Sequence, residues 1–176
     1  MGIIIFDTET TGLIKPDANE LNKQPYITEF YGINITTGED LHLMLKPPIP
    51  LSAEITRITG ITNEEIKNSP SFAETYEELA DFFLSSHTMV AHNLAFDRSM
   101  VANELLRIGK VLNFPWPRTH ICTVEKSMYL EQRRLNLTAL HKYATGIPEI
   151  PNAHRAGGDV DALVKCYNWL KSQGKL

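Results

Sequence analysis

The stretch that decides the fold is "GIIIFDTETTG", Gly2 to Gly12, in which strand-forming apolar residues lead directly into two carboxylates. Asp7 and Glu9 are separated by one residue, and in an extended strand the side chains of residues i and i+2 point to the same face. The two carboxylates are therefore predicted to stand side by side. Like charges at that distance raise each other's pKa unless a cation lies between them. The stretch thus predicts a buried strand that ends at a divalent-metal site.

The composition favours one compact domain. The chain has 176 residues, 43% of them hydrophobic, so we expect a single domain over residues 1–176. No apolar run approaches the roughly 20 residues of a membrane helix, and no signal peptide is recognised, so we expect a cytoplasmic, intracellular protein without a membrane partner. Cys122 and Cys166 lack metal-site spacing and are expected to be reduced core thiols.

The formal net charge of −4 argues against a broad basic face that coats nucleic acid. It does not exclude an enzyme that holds a few phosphates through metal ions, because bound cations invert the local sign of the charge.

The order of elements predicts an α/β fold with a mixed sheet. A β-hairpin is expected over residues 26–46, with its turn at Thr37-Gly38. Two capping boxes, Thr62-x-x-Glu65 and Ser71-x-x-Glu74, predict helix starts, the second opening a helix to about Leu84. The remainder alternates between strands and helices, which favours a layered domain. Strands are expected at 87–92 and near 120–124, and helices over 94–109, from 124 to 130, over 137–146 and over 159–173.

Acids and histidines are concentrated in three segments at element ends, where sites are usually built. The first is the end of the opening strand. The second is "HNLAFD", in which His92 ends a strand and Asp97 opens the next helix; the third is "HRAGGDVDAL", with His154 in a loop and Asp159 at a helix start. Each segment alone is compatible with a surface or helix-capping role. Their joint occurrence in one small domain indicates a site.

These three segments resemble the motifs of the DEDDh-type 3′–5′ exonucleases of the DnaQ-like family, which includes the epsilon subunit of bacterial DNA polymerase III. The resemblance runs from Gly2 to the last helix and implies a ribonuclease H-like fold. It also implies four metal-binding acids and a general base. By position these are Asp7, Glu9, Asp97 and Asp159, with His154 as the base.

The resemblance further implies a substrate site. The segment "ITGIT", residues 58–62, resembles one that packs against the terminal nucleotide, and Ile61 and Phe96 would hold the terminal bases. Phe96 is equally compatible with packing in the core. Amides around Thr10, Thr11, Gly12 and Asn93 would reach the sugar and the phosphates.

The sequence departs from the family pattern at a few positions. Leu94 stands where a small residue is common, and Gly157-Gly158 predicts a mobile loop before the last acid. Asp161 has the wrong spacing from His154 for a ligand and is expected on the surface.

Carboxylate oxygens suit Mg²⁺ or Mn²⁺, and two such ions would clamp the reacting phosphodiester. His154 would take the proton of the attacking water, since histidine changes charge between pH 5 and 8. The expected activity is release of nucleoside 5′-monophosphates from the 3′ end of single-stranded nucleic acid, with DNA favoured and RNA trimming as the alternative.

Two other functions are weaker. Asp7, Glu9 and Thr11 give D-x-E-x-T, which resembles the D-x-D-x-T of haloacid dehalogenase-type phosphatases, but that interpretation leaves "HNLAFD" and His154 unexplained. A non-enzymatic nucleic-acid-binding module is disfavoured because all four acids are present. The chain stops soon after its last predicted helix, so we expect a free-standing exonuclease, monomeric or homodimeric, without a polymerase-docking tail.

Overall fold

A mixed five-stranded sheet forms the centre of the computed structural model, which describes residues 2–18 and 20–176. The sheet has the order β3-β2-β1-β4-β5, with β1 antiparallel to β2 and parallel to β4. Strand β5 continues the parallel half. The bounds are β1 Gly2–Thr10, β2 Ile27–Asn34, β3 Asp40–Met44, β4 Ser86–Ala91 and β5 Thr119–Cys122. The predicted α/β class with a mixed sheet is confirmed.

Helices cover both faces of this sheet. They are α1 Ala53–Thr59, α2 Tyr76–Leu84, α3 Leu94–Arg107, α4 Thr123–Ser127, α5 Leu137–Thr145 and α6 Ala156–Ser172. Because side chains alternate along β1, Ile4 and Phe6 pack in a cluster with α2 and α3, whereas Ile5 packs in another with α5 and α6. This two-sided burial explains why the first half of β1, up to Phe6, is a continuous apolar run.

The hairpin and the second capping box form as predicted. Gly38 turns the hairpin with φ 82°. Ser71 and Glu74 make both reciprocal capping bonds, and a short 3₁₀ turn there leads into α2. The first box is half formed, because the Glu65 amide donates to Thr62 Oγ1 at 3.1 Å but residues 63–68 make turns. The Glu65 carboxylate accepts a hydrogen bond from Arg155 instead, so the predicted helix start there was wrong.

The last helix begins at Ala156, three residues earlier than predicted. Gly157 and Gly158 lie inside its first turn, so the prediction that they belong to a loop was wrong. The mobility of the loop that carries His154 stays a prediction. A Cβ at Gly158 would stand 2.4 Å from the carbonyl oxygen of Asn152. The second glycine is needed for close packing of the helix start on the preceding turn.

The remaining differences are small. The helix after β5 ends at Ser127, short of the expected residue 130. Cys122 and Cys166 are buried and unbridged, as expected for core thiols. Asp161 is exposed, as predicted. Over the described part of the chain, no helix is both long and apolar enough to span a bilayer.

Candidate active site

Three carboxylates converge at the end of β1. One oxygen from each of Asp7, Glu9 and Asp159 can be chosen so that all three lie within 4.8 Å of one another. The strand supplies the first two from one face, as the i and i+2 spacing predicted. The first turn of α6 supplies Asp159, and the helix is held against the strand by Val160 and Leu163, which pack in one buried cluster with Ile5.

The fourth predicted acid, Asp97, lies beside this cluster rather than within it. Asp97 is only 2% exposed, in the first turn of α3. Its Oδ1 accepts hydrogen bonds from the Thr8 amide at 3.1 Å and from Thr8 Oγ1 at 2.8 Å. These bonds tie the start of α3 to β1. Asp97 is near enough to Asp7 for its charge to raise the pKa of that side chain.

The electrostatics of the cluster are those of a site that requires a cation. Burial raises the pKa of Asp7 well above its usual range, and the charges of Asp97, Asp159 and Glu9 raise it further. Burial and the charge of Asp159 raise the pKa of Glu9 to about 8. Burial also raises the pKa of Asp97 to about 7. When these buried carboxyl groups are ionised, their mutual repulsion destabilises the fold, and a bound cation would remove that repulsion.

The donor set fits an oxygen-preferring divalent ion. All three convergent groups are carboxylates, and no cysteine or histidine belongs to the set. The nearby cation Arg155 is engaged with Glu29, at 3.1 Å, and lowers the pKa of Glu9 only as the last of several effects. Hard oxygen ligands favour Mg²⁺ or Mn²⁺ over the softer metals.

His154 lies at the rim of the cluster. It ends the turn of residues 151–154, is exposed, and adopts a left-handed backbone with φ 64°. Its amide donates to Asp159 Oδ2 at 3.1 Å. Burial raises the pKa of Asp159, while this hydrogen bond and the charge of the His154 ring lower it. The backbone of His154 therefore contacts one of the predicted ligands.

A buried acid that the motifs did not predict adjoins the site. Glu29 on β2 is paired in register with Glu9 and is only 1% exposed. Its carboxylate accepts hydrogen bonds from Arg155, from the Ala156 amide and from His42 Nε2. Its position as the one charged residue of the strand "ITEFYGIN" is the sequence feature that could have located it.

A cleft of about 1170 Å³ meets the carboxylate cluster at Glu9, which is one of its lining residues. Four of the predicted substrate-binding residues line it, namely Thr10, Thr11, Gly12 and Phe96. Phe96 is half-buried and also packs against the main core. Its position is therefore compatible with both predicted roles, contact with a terminal base and packing in the core.

Other substrate-binding predictions need correction. Ile61 is 0% exposed and packs with Leu51 and Ile66, so it does not reach the cleft. Ile58, from the same segment and 42% exposed, lines the cleft instead. A left-handed glycine, Gly60, separates the two and turns the chain inward.

One of the predicted amide contacts is already occupied, and another residue lies outside the cleft lining. The Thr11 amide donates to the carbonyl of Tyr26 at 2.9 Å, so it is not free to bind a sugar or phosphate. Asn93 lies outside the cleft lining, and its Oδ1 accepts a hydrogen bond from Arg134 at 2.7 Å.

The chain is similar to known nucleases over most of its length. Residues 4–167 match the RNase_T family, described as exonuclease. The chain is 29% identical over 167 residues to the PolC-type DNA polymerase III of Clostridium perfringens, covering 92% of this chain and 11% of that protein. It is 29% identical over 176 residues to a DNA polymerase III subunit epsilon-like protein of Rhodobacter capsulatus, covering 97% and 24%. The chain therefore spans a quarter or less of these two relatives.

A solved structure shares the fold. Exonuclease X in complex with 5′-overhanging duplex DNA superposes with a TM-score of 0.67 at 23% identity, covering 98% of this chain and 93% of that one. The expected ribonuclease H-like fold is confirmed, and the phosphatase interpretation was wrong. The family match over residues 4–167, which includes all three motifs, shows that the chain belongs to the RNase_T exonuclease family, as a DnaQ-like nuclease domain.

Proposed function

We propose that this domain is a metal-dependent 3′–5′ exonuclease that releases nucleoside 5′-monophosphates from single-stranded nucleic acid, with DNA favoured. The observation that carries the proposal is the convergence of Asp7, Glu9 and Asp159 within 4.8 Å beside an open cleft. Asp97 is the fourth acid beside this cluster, and His154 lies at the rim of the cluster. DNA is favoured because the relatives are DNA polymerase III proteins.

The residues divide the chemistry between them. The four acids would hold two divalent ions, Mg²⁺ or Mn²⁺, whose charge stabilises the transition state of phosphodiester hydrolysis. His154 accepts the proton of the attacking water as the new bond to phosphorus forms. The bond from phosphorus to the 3′ oxygen of the preceding nucleotide breaks, and that oxygen keeps the electron pair. The cleft walls at Phe96 and Ile58 supply apolar surface for the terminal base.

A pair of aspartate substitutions tests the assignment. Asp7→Asn should abolish release of mononucleotides from an end-labelled strand in Mg²⁺. Its thermal stability without metal should equal or exceed that of the wild type, because a repelling charge is removed. Asp161→Asn is the matched control, since Asp161 is an exposed acid of the same helix as Asp159 and lies outside the cluster. Full activity of Asp7→Asn would contradict the proposal.

The polarity and the substrate class are tested with matched strands. Labelled DNA and RNA of one sequence are compared, each with a 3′-hydroxyl or a 3′-phosphate. The phosphate adds bulk and about two negative charges at the end that enters the acidic site, so it should slow release strongly. Equal rates for the two ends would contradict 3′–5′ polarity. Faster digestion of RNA than of DNA would favour the RNA-trimming alternative.

A further inference from the structure

A basic loop is fixed to the second motif. This basic loop, residues 131–135, precedes α5 and is attached at two points. The His92 ring lies between Thr123 Oγ1, at 2.9 Å, and the carbonyl of Leu135, at 3.1 Å. Arg134 Nη2 donates to Asn93 Oδ1 at 2.7 Å. The loop is therefore held against the residues that immediately precede α3 and its Asp97.

The attachment through His92 uses a neutral ring. Burial lowers the pKa of His92 to about 4, with a smaller contribution from the charge of Arg134. A neutral imidazole has one donor and one acceptor nitrogen, which suits a ring that faces a carbonyl on one side and a hydroxyl on the other. The positive charge at this place therefore belongs to the arginine and not to the histidine.

The two arginines of the loop differ in their partners. Arg133 forms an ion pair with Glu131 at 2.5 Å. Among the ion pairs of residues 2–18 and 20–176, none includes Arg134, although it is exposed and carries a full charge. Its partner Asn93 and its neighbour Gln132 both adopt left-handed backbones, with φ 70° and 54°. Non-glycine residues keep such conformations only where their surroundings hold them.

The topology brings this cation to the edge of the sheet that carries the acids. Strands β1 and β4 are parallel neighbours, so their carboxyl ends lie at the same edge, about 4.8 Å apart. The carboxylate cluster lies at the end of β1, and the contact between Asn93 and Arg134 lies just beyond the end of β4. The cleft meets the cluster at Glu9 and is also lined by residues of α1 and by Phe96 in the first turn of α3.

We propose that Arg134 binds a backbone phosphate of the nucleic-acid strand on the 5′ side of the nucleotide that is removed. This inference rests on the proposed function. In this proposal the terminal nucleotide lies in the cleft, the scissile phosphate lies at the acids, and the strand continues toward the end of β4, where Asn93 holds Arg134. Metal ions would neutralise the four carboxylates, but on a chain of net charge −4 a strand that extends beyond them is attracted by a local cation. The guanidinium uses one nitrogen on Asn93 and keeps further donors for phosphate oxygens.

The salt dependence of binding tests this contact. A fluorescein-labelled oligothymidylate is titrated with protein in a fixed low concentration of Ca²⁺ over a series of NaCl concentrations, and gel analysis confirms that the strand stays intact. Loss of one phosphate contact to a single strand should reduce the slope of log Kd against log salt by about 0.7. Arg134→Ala should show that reduction and bind about fivefold more weakly at low salt. Arg134→Lys should keep most of the slope because it keeps the charge.

Arg133→Ala is the matched control, because it removes a neighbouring cation that already has an acidic partner. It should keep the wild-type slope. The proposal is overturned if Arg134→Ala keeps that slope too, or if both alanine variants lose it equally. Thermal melts check that each variant is folded. If Arg134→Ala is unfolded, Arg134→Gln replaces it, because glutamine retains a donor for Asn93. A wild type that binds with the Arg134-dependent slope but releases no mononucleotide in Mg²⁺ would refute the proposed activity alone.

Discussion

Glu29 and Arg155 form an ion pair that joins β2 to the start of α6, with Arg155 Nε 3.1 Å from Glu29 Oε2. Although burial raises the pKa of Glu29, hydrogen bonds from Arg155 and His42 hold it below its usual range. Arg155 immediately follows His154 in the chain, and Glu29 faces Glu9 across the strand pair. The pair thus fixes the position of the predicted base relative to the strand that carries the predicted metal ligands.

Removing one partner of this pair should destabilise the fold. Arg155→Ala leaves a carboxylate that is 1% exposed with only His42 and the Ala156 amide as partners. We expect a loss of about 3 kcal/mol in the free energy of unfolding, measured by urea denaturation. Arg155→Lys keeps the charge and should lose less. An alanine variant as stable as the wild type would show that the pair contributes nothing.

The two glycines at the start of α6 should respond differently to alanine. At Gly158 a Cβ would collide with the carbonyl oxygens of Asn152 and Pro151, at 2.4 and 2.7 Å, so Gly158→Ala must displace the turn that carries His154. At Gly157 nothing lies within 4 Å of the added Cβ. Gly157→Ala should therefore be neutral, or stabilise the helix by up to about 1 kcal/mol.

Thermal melts and turnover numbers check both variants. Gly158→Ala should lose turnover and stability together, while Gly157→Ala retains both. Equal behaviour of the two variants would mean that the turn tolerates displacement.

The role of His154 is tested by replacement with asparagine. Asparagine tolerates the left-handed backbone found there, so the hydrogen bond from the amide of residue 154 to Asp159 should survive. If the ring is the general base, His154→Asn should lower single-turnover rates by roughly 10²-fold or more while strand binding stays nearly unchanged. The wild-type rate should rise with pH and then level off, since the neutral ring is the active form. A variant that loses binding rather than rate would remove His154 from the base role.

The stability of the metal-free protein should depend on pH in a definite direction. The pKa of Glu9 rises from its usual 4.5 to about 8 in the fold. A carboxyl group whose pKa is higher in the folded state than in the unfolded state does not reduce the free energy of unfolding at a pH below its unfolded-state pKa. As the pH rises from that pKa toward the folded-state pKa, the free energy of unfolding falls. We therefore expect the melting temperature in EDTA to fall between about pH 4.5 and 8.

Added Mg²⁺ should reverse that fall at pH 8, because the ion neutralises the ionised cluster and binds only the folded state. Glu9→Gln should flatten the pH dependence and weaken the response to Mg²⁺. Differential scanning fluorimetry across the pH series measures both effects. An absence of Mg²⁺ stabilisation at pH 8 would contradict the metal site.

Local patterns in the sequence determined the main elements and the chemistry. The alternation of β1 follows from the period of a strand, so Asp7 and Glu9 project together wherever the strand is placed. The box at Ser71 and Glu74 formed because both partners lie within one turn. The family motifs located Asp97, Asp159 and His154, which the structure brings to the same edge of the sheet.

The tertiary structure decided what depends on contacts between distant segments. The pairing of Glu29 with Glu9 requires the register of two strands, and its neutralisation by Arg155 joins residues 126 positions apart. The burial of Ile61 and the helical state of Gly158 likewise depend on segments packed against them. A local sequence pattern predicts which face of a strand or helix a side chain occupies. Only the folded chain determines which group from elsewhere it meets there, because burial and pairing free energies arise from contacts between segments that are remote in the sequence.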